Sequence, residues 1–167
     1  MILELNGIYA GLRFSSAHIV FGHDSCGVIH GHSYYVDVKL SGSPSGDFGF
    51  VCDFKIVKQI VKELCNELDH KLLVPRDHDN MEYSIDEDSI FLEYVEKSGK
   101  VKKYMFPLED INLLPLKSTT AEELSIYFTE FIKNRLQKLK MDSSILEIET
   151  TVNEGIGQGA RYKMLLR

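Results

Sequence analysis

The chain has 167 residues with 44% hydrophobic content and a formal charge of -6. That size fits one domain, residues 1–167, burying roughly 70% of its unfolded surface. No stretch is apolar enough to span a bilayer, no basic-then-apolar leader opens MILELNGIY, and no Lys/Arg cluster forms a phosphate-tracking stripe; membrane and nucleic-acid partners are excluded, and the cytoplasm is the expected compartment. Three cysteines at wide spacing imply no disulfide framework.

In chain order, residues 8–18 and 32–42 read as the first two strands. His18 ends the alternating series Leu12, Phe14, Ser16. His30 and His32 share the parity of Tyr34, Val36, Val38 and Leu40, so both point to the apolar side of their strand. Gly31 between them removes a side chain from the opposite face. The intervening loop carries Cys26, in CGVIHGH. Residues 41–46 are turn material, and 47–52 form a short extended piece. Asp53 N-caps a helix over 54–68, whose stripe is Val57, Ile60, Val61, Leu64, Cys65 and Leu68. Cys52 and Cys65 read as small core residues.

Residues 71–88 read as an acidic loop, followed by a hairpin of 89–96 and 101–106. Thr120 with Glu123 forms a capping box for a second helix, with Leu124, Tyr127, Phe128, Phe131, Ile132, Arg135, Leu136 and Leu139 near its buried stripe. Strands 145–154 and 160–166 flank Gly155-Ile156-Gly157-Gln158-Gly159 and close the chain. The glycine-rich run opens no helix and so is not a phosphate-cradling loop. The order predicts an α+β architecture, an antiparallel sheet with helices on one face.

The chemistry-bearing residues concentrate near the first two strands. Pairing of these strands brings His18, His30 and His32 together as a tripod for Zn2+ with one position open. Cys26 beside it serves either as a free thiol that takes a proton or as a fourth, closing ligand; the spacing permits both. Asp69-His70 ends the first helix, either as a dipole-favoured terminus or as a carboxylate-tuned acid/base imidazole. Adjacent helical residues do not face each other, so a pairing of these two requires a bent helix end or a second subunit. Glu154, or alternatively Glu149 in the same strand, offers two oxygens to the paired N–H donors of a planar heterocycle. His23 and His78 read as surface residues.

Phe14-Ser15-Ser16-Ala17-His18, Cys26 to His32, Val51-Cys52-Asp53-Phe54, Leu68-Asp69-His70, Thr120-Ala121-Glu122 and the Glu154 region occur in an order that resembles the 6-pyruvoyl-tetrahydropterin synthase family. The resemblance covers nearly the whole chain. It implies a tunnelling fold: a four-stranded antiparallel sheet with two helices, here with an added hairpin, trimerised and stacked as a dimer of trimers with the pocket between subunits. It implies Zn2+ on His18, His30 and His32, Cys26 as the proton-abstracting thiol, Asp69 and His70 as an acid/base pair, and Glu154 rather than Glu149 as the pterin anchor. Thr120 and Glu122 match a segment that helps build the pterin pocket.

Three residues separate Cys26 from His30, similar to the carboxytetrahydropterin synthases of the queuosine and archaeosine routes, whereas pyruvoyl-forming relatives place five there. Relatives that cut dihydroneopterin carry Glu at this position. The implied activity is conversion of 7,8-dihydroneopterin triphosphate to 6-carboxy-5,6,7,8-tetrahydropterin with release of acetaldehyde and triphosphate. The alternatives are the pyruvoyl product or a pterin- and metal-binding module without turnover.

Overall fold

Side-chain alternation in the two histidine-bearing segments sets the sheet, and the computed structural model, which describes residues 1–166, lays them side by side. Strand β2 (Arg13–His18) runs antiparallel to the long strand β3 (His30–Gly42), with His18 opposite His30 and Ser16 opposite His32. On its other side β3 pairs with β9 (Ile145–Glu154), which pairs with β10 (Gly159–Leu165). The N-terminal β1 (Ile2–Leu5) lies along the far half of β3.

Helices α2 (Phe54–Leu68) and α3 (Ala121–Lys138) cover one face of this sheet. Asp53 begins α2 by accepting the Lys55 N–H at 2.7 Å. Thr120 caps α3, with Glu122 and Glu123 in its first turn and Arg135 and Lys138 in its last, matching the helix dipole. The expected α2 stripe is buried in full, against Phe14, Tyr34, Val36, Val38 and Leu40. Burial of each such side chain contributes about 1.5–3 kcal/mol. In α3, Leu124, Phe128, Ile132 and Leu136 are buried, Tyr127 and Phe131 half-buried. Leu139 departs from the expected stripe: it is the C-cap and exposed. Arg135 instead forms an ion pair with Glu63 of α2.

Several expectations need correction. The sheet has seven strands rather than four and is mixed rather than antiparallel. Two short strands, β4 (Leu72–Pro75) and β8 (Ile111–Leu114), extend it, with β2–β4 and β4–β8 both parallel. β4 is a short apolar run buried at every position, the pattern of a strand covered on both faces, whereas β8 includes Asn112 and is buried only at its two ends. The strand expected over 8–18 starts only at Arg13, because Gly7–Ala10 form a helical turn, α1, capped by Asn6 and ended by Gly11 at φ 67°. Gly7 is required there: a Cβ would stand 2.6 Å from the Val36 nitrogen. The piece at 47–52 is a turn closed by a bridge between Ser45 and Phe50.

The expected acidic loop holds β4 and β5 (Met81–Asp86). The hairpin after it is present as β6 (Ser89–Val95) and β7 (Val101–Pro107), but β5 joins it as a three-stranded sheet. Its Met81, Ile90, Leu92 and Tyr94 pack with Leu72, Val74 and Ile111 in a second apolar cluster. Among the described residues no helix is long and apolar enough to cross a membrane.

Candidate metal centre

Register alone assembles the histidines. His30 and His32 emerge on one face of β3, and His18 reaches that face from the paired position on β2. The ring centroids lie 4.4 Å (His18–His30), 5.1 Å (His18–His32) and 5.1 Å (His30–His32) apart. One donor atom from each falls within 4.8 Å of the others, and among the described residues this is the only such group.

The hydrogen bonds around the rings fix which nitrogens are free. His18 Nδ1 lies 2.8 Å from the Thr119 carbonyl, and His30 Nδ1 lies 2.9 Å from the Val28 carbonyl. A carbonyl only accepts, so both Nδ1 atoms carry the proton and the neutral rings present bare Nε2 atoms. Those two Nε2 atoms stand 3.0 Å apart. His32 Nε2 is buried with no hydrogen-bond partner. His18 is 1% exposed, and burial, opposed by the Thr119 hydrogen bond and reinforced by the two nearby imidazoles, lowers its pKa to about 4. Three imidazoles converging on one point, with His18 buried and resistant to protonation, form a donor set that could hold a metal ion.

Glu154 ends the inward-facing series Ile148, Thr150, Val152 on β9 and sits opposite Tyr34, with Oε2 3.9 Å from His32 Nε2. Glu149 has the other parity and is held by Arg161 and Lys163 of β10. A cavity of about 360 Å3 opens over two of the three histidines, lined by His18, His30, Cys26, Thr120, Glu122 and Glu154 among others. Cys26 is a free, half-buried thiol and stands outside the three-histidine group. Its loop is ordered by Val20 N–H donating to the Cys26 carbonyl (3.0 Å) and Cys26 N–H donating to His23 Nδ1 (3.0 Å).

Asp69 and His70 lie elsewhere. They line a separate depression of about 340 Å3 with Arg13 and Tyr35, which shares no wall residue with the Cys26 cavity. The two do meet each other, through the bent helix end. The chain leaves α2 at Asp69 in an extended conformation, and His70 turns left-handed at φ 58°. His70 Nδ1 then donates to Asp69 Oδ2 at 2.8 Å, while Ser15 N–H donates to Asp69 Oδ1 at 2.7 Å. The Ser15 hydrogen bond first, then His70, holds the Asp69 carboxyl below its ordinary pKa. His70 is 84% exposed at its side chain, facing outward from this chain.

Other residues around the site escape the sequence reading. The carbonyls of Thr119 and Val28 set the histidine tautomers, but every residue has a carbonyl and nothing in the chain marks these two. His23 is exposed as expected yet borders the cavity. His78 is half-buried rather than a surface residue: it stands edge-on to Phe21 and Tyr94, and burial lowers its pKa.

The family model of 6-pyruvoyl tetrahydropterin synthase matches residues 7–163. The chain belongs to that family. It is 58% identical over 166 residues to a Methanocaldococcus jannaschii protein provisionally named 6-carboxy-5,6,7,8-tetrahydropterin synthase, covering 99% of this chain and 98% of that one. The 6-carboxy-5,6,7,8-tetrahydropterin synthase of Aquifex aeolicus is 29% identical over 140 residues, 84% of this chain and 76% of its own. Among solved structures, the 6-pyruvoyl tetrahydropterin synthase of Plasmodium vivax superposes with a TM-score of 0.85 at 27% identity, covering 99% of each chain.

Proposed function

We propose that the chain is a zinc-dependent lyase, a single catalytic domain over 1–167, that converts 7,8-dihydroneopterin triphosphate and one water to 6-carboxy-5,6,7,8-tetrahydropterin, acetaldehyde and triphosphate. One observation carries this reading: a free thiol, Cys26, faces the same cavity as His18, His30 and Glu154 while standing outside the histidine group. The name of the 58% identical relative supports the carboxy product, as does the three-residue spacing from Cys26 to His30.

His18, His30 and His32 would hold the zinc, which supplies Lewis acidity toward hydroxyl and carbonyl oxygens. Glu154 accepts the paired N–H donors of the pterin and orients the ring. Thr120 and Glu122 complete the wall beside it. Cys26 removes a proton from the side chain of the substrate, and His70, oriented and tuned by Asp69, returns one to another position. The Asp69-His70 pair lies outside the Cys26 cavity of its own chain, which suits a homo-oligomer, a trimer or a dimer of trimers, in which one subunit brings this pair to the cavity of another. The chain acts in the cytoplasm.

Zinc-loaded protein incubated with 7,8-dihydroneopterin triphosphate tests the reading by mass spectrometry and an acetaldehyde assay. Both the carboxy product and acetaldehyde are expected. A pyruvoyl product without acetaldehyde would replace the proposed reaction with the one named for the Plasmodium structure, and unchanged substrate would leave a binding module.

A further inference from the structure

The three-stranded insert touches the Cys26 loop at several points. Tyr94 of β6 stacks on Phe21 with ring centroids 4.6 Å apart, and His78 meets both rings edge-on at 5.4 Å and 5.6 Å. The Tyr94 hydroxyl fills the space beside Gly22, where a Cβ would come within 2.8 Å of it. Lys102 of β7 reaches across to donate from Nζ to the Gly27 carbonyl at 2.9 Å. The same ammonium pairs with Glu96 at 3.1 Å, and the Lys102 side chain is only 24% exposed. A hydrogen bond from a charged donor in such partial shelter is stronger than one between neutral groups. The insert is itself anchored, because its apolar face is packed with Leu72, Val74 and Ile111.

The chain at Cys26 is therefore tied at two successive carbonyls. The Cys26 carbonyl is bonded to Val20 N–H, and the next carbonyl in the chain is bonded to Lys102. We propose that Lys102, held in place by Glu96, is a positioning residue for Cys26: it pins the Gly27 carbonyl and so fixes how the thiol enters the cavity. The proposal rests on Cys26 being the thiol that moves a proton. A displacement of about 1 Å at a reacting group can cost on the order of 100-fold in rate, so one hydrogen bond at this point bears on turnover without touching substrate.

The test compares zinc-loaded wild type, Lys102→Met and Lys102→Arg. Methionine keeps an apolar stem and removes the donor; arginine keeps a donor. Two readouts need no pterin: amide hydrogen exchange across residues 20–29, and the rate of iodoacetamide alkylation of Cys26, read by peptide mass, with Cys52 and Cys65 buried. In Lys102→Met the loop is expected to exchange about tenfold faster and Cys26 to alkylate at least about threefold faster, with Lys102→Arg near wild type. In turnover, kcat is expected to fall about 10- to 100-fold with KM within about twofold and zinc content unchanged.

Wild-type exchange and alkylation in Lys102→Met overturn the proposal, whatever becomes of the pterin. Loss of the reaction in wild type would instead sink the functional reading, and the two loop readouts would still decide this one. If circular dichroism shows Lys102→Met unfolded, Glu96→Gln replaces it: a smaller loosening in the same direction is expected, and an unchanged loop overturns the proposal.

Discussion

Acid should destabilise the metal-free protein through His18. The folded protein holds this ring 1% exposed, with its pKa lowered from 6.5 to about 4 chiefly by burial. In the unfolded chain the ring titrates at its ordinary value. Between these two pH values the unfolded state binds more protons, so unfolding becomes easier as pH falls. The stabilisation is complete above about pH 6.5, drains away on the descent to about pH 4, and loses nothing further below it. A displacement of about 2.5 pH units at about 1.36 kcal/mol per unit amounts to about 3 kcal/mol.

Urea unfolding in chelator at about pH 7 and about pH 4.5, for wild type and His18→Gln, isolates this contribution. The other lowered groups, His78 among them, are shared by both proteins and cancel in the comparison. Over this interval, which stops short of the full descent, wild type should lose roughly 2.4 kcal/mol more than the variant. Equal losses would refute the assignment of a proton-resisting buried His18. Zinc at about 100 times its Kd should then stabilise wild type by about 2.7 kcal/mol at neutral pH, and His18→Gln far less.

Other substitutions separate the roles around the cavity. Cys26→Ala should abolish turnover and keep a full complement of zinc, whereas His30→Ala should lose both; metal analysis beside activity distinguishes them, and zinc loss from Cys26→Ala would point to a closed four-ligand site. Asp69→Asn can satisfy only one of the two donors now shared by its oxygens. Its kcat should drop about 10²- to 10⁴-fold if His70 is an acid/base, with stability lowered by about 1 kcal/mol in thermal melts, the smaller end for a partly exposed group. Leu64→Ala, under the sheet and away from the cavity, should cost about 2–5 kcal/mol in urea unfolding with kcat preserved.

The histidine cluster was legible because a strand's period of two is rigid: once β2 and β3 pair, parity puts His18, His30 and His32 on one side. The helices were legible for the same kind of reason, a clear 3.6-residue stripe with a capping residue before it. Strands β4 and β8 were not, because four-residue strands are too short to show a period, and their parallel pairing joins segments far apart in the chain. The Asp69–His70 contact was half legible. Helical geometry forbids it, and only the left-handed turn at His70, which no neighbouring residue announces, makes it possible.

That turn has its own evolutionary arithmetic. A histidine at φ 58° occupies backbone territory that costs a non-glycine residue about 1–3 kcal/mol, and glycine would rest there without strain. Drift toward a sturdier protein would favour losing the imidazole at this corner, so its retention would signal selection acting on chemistry against thermal robustness.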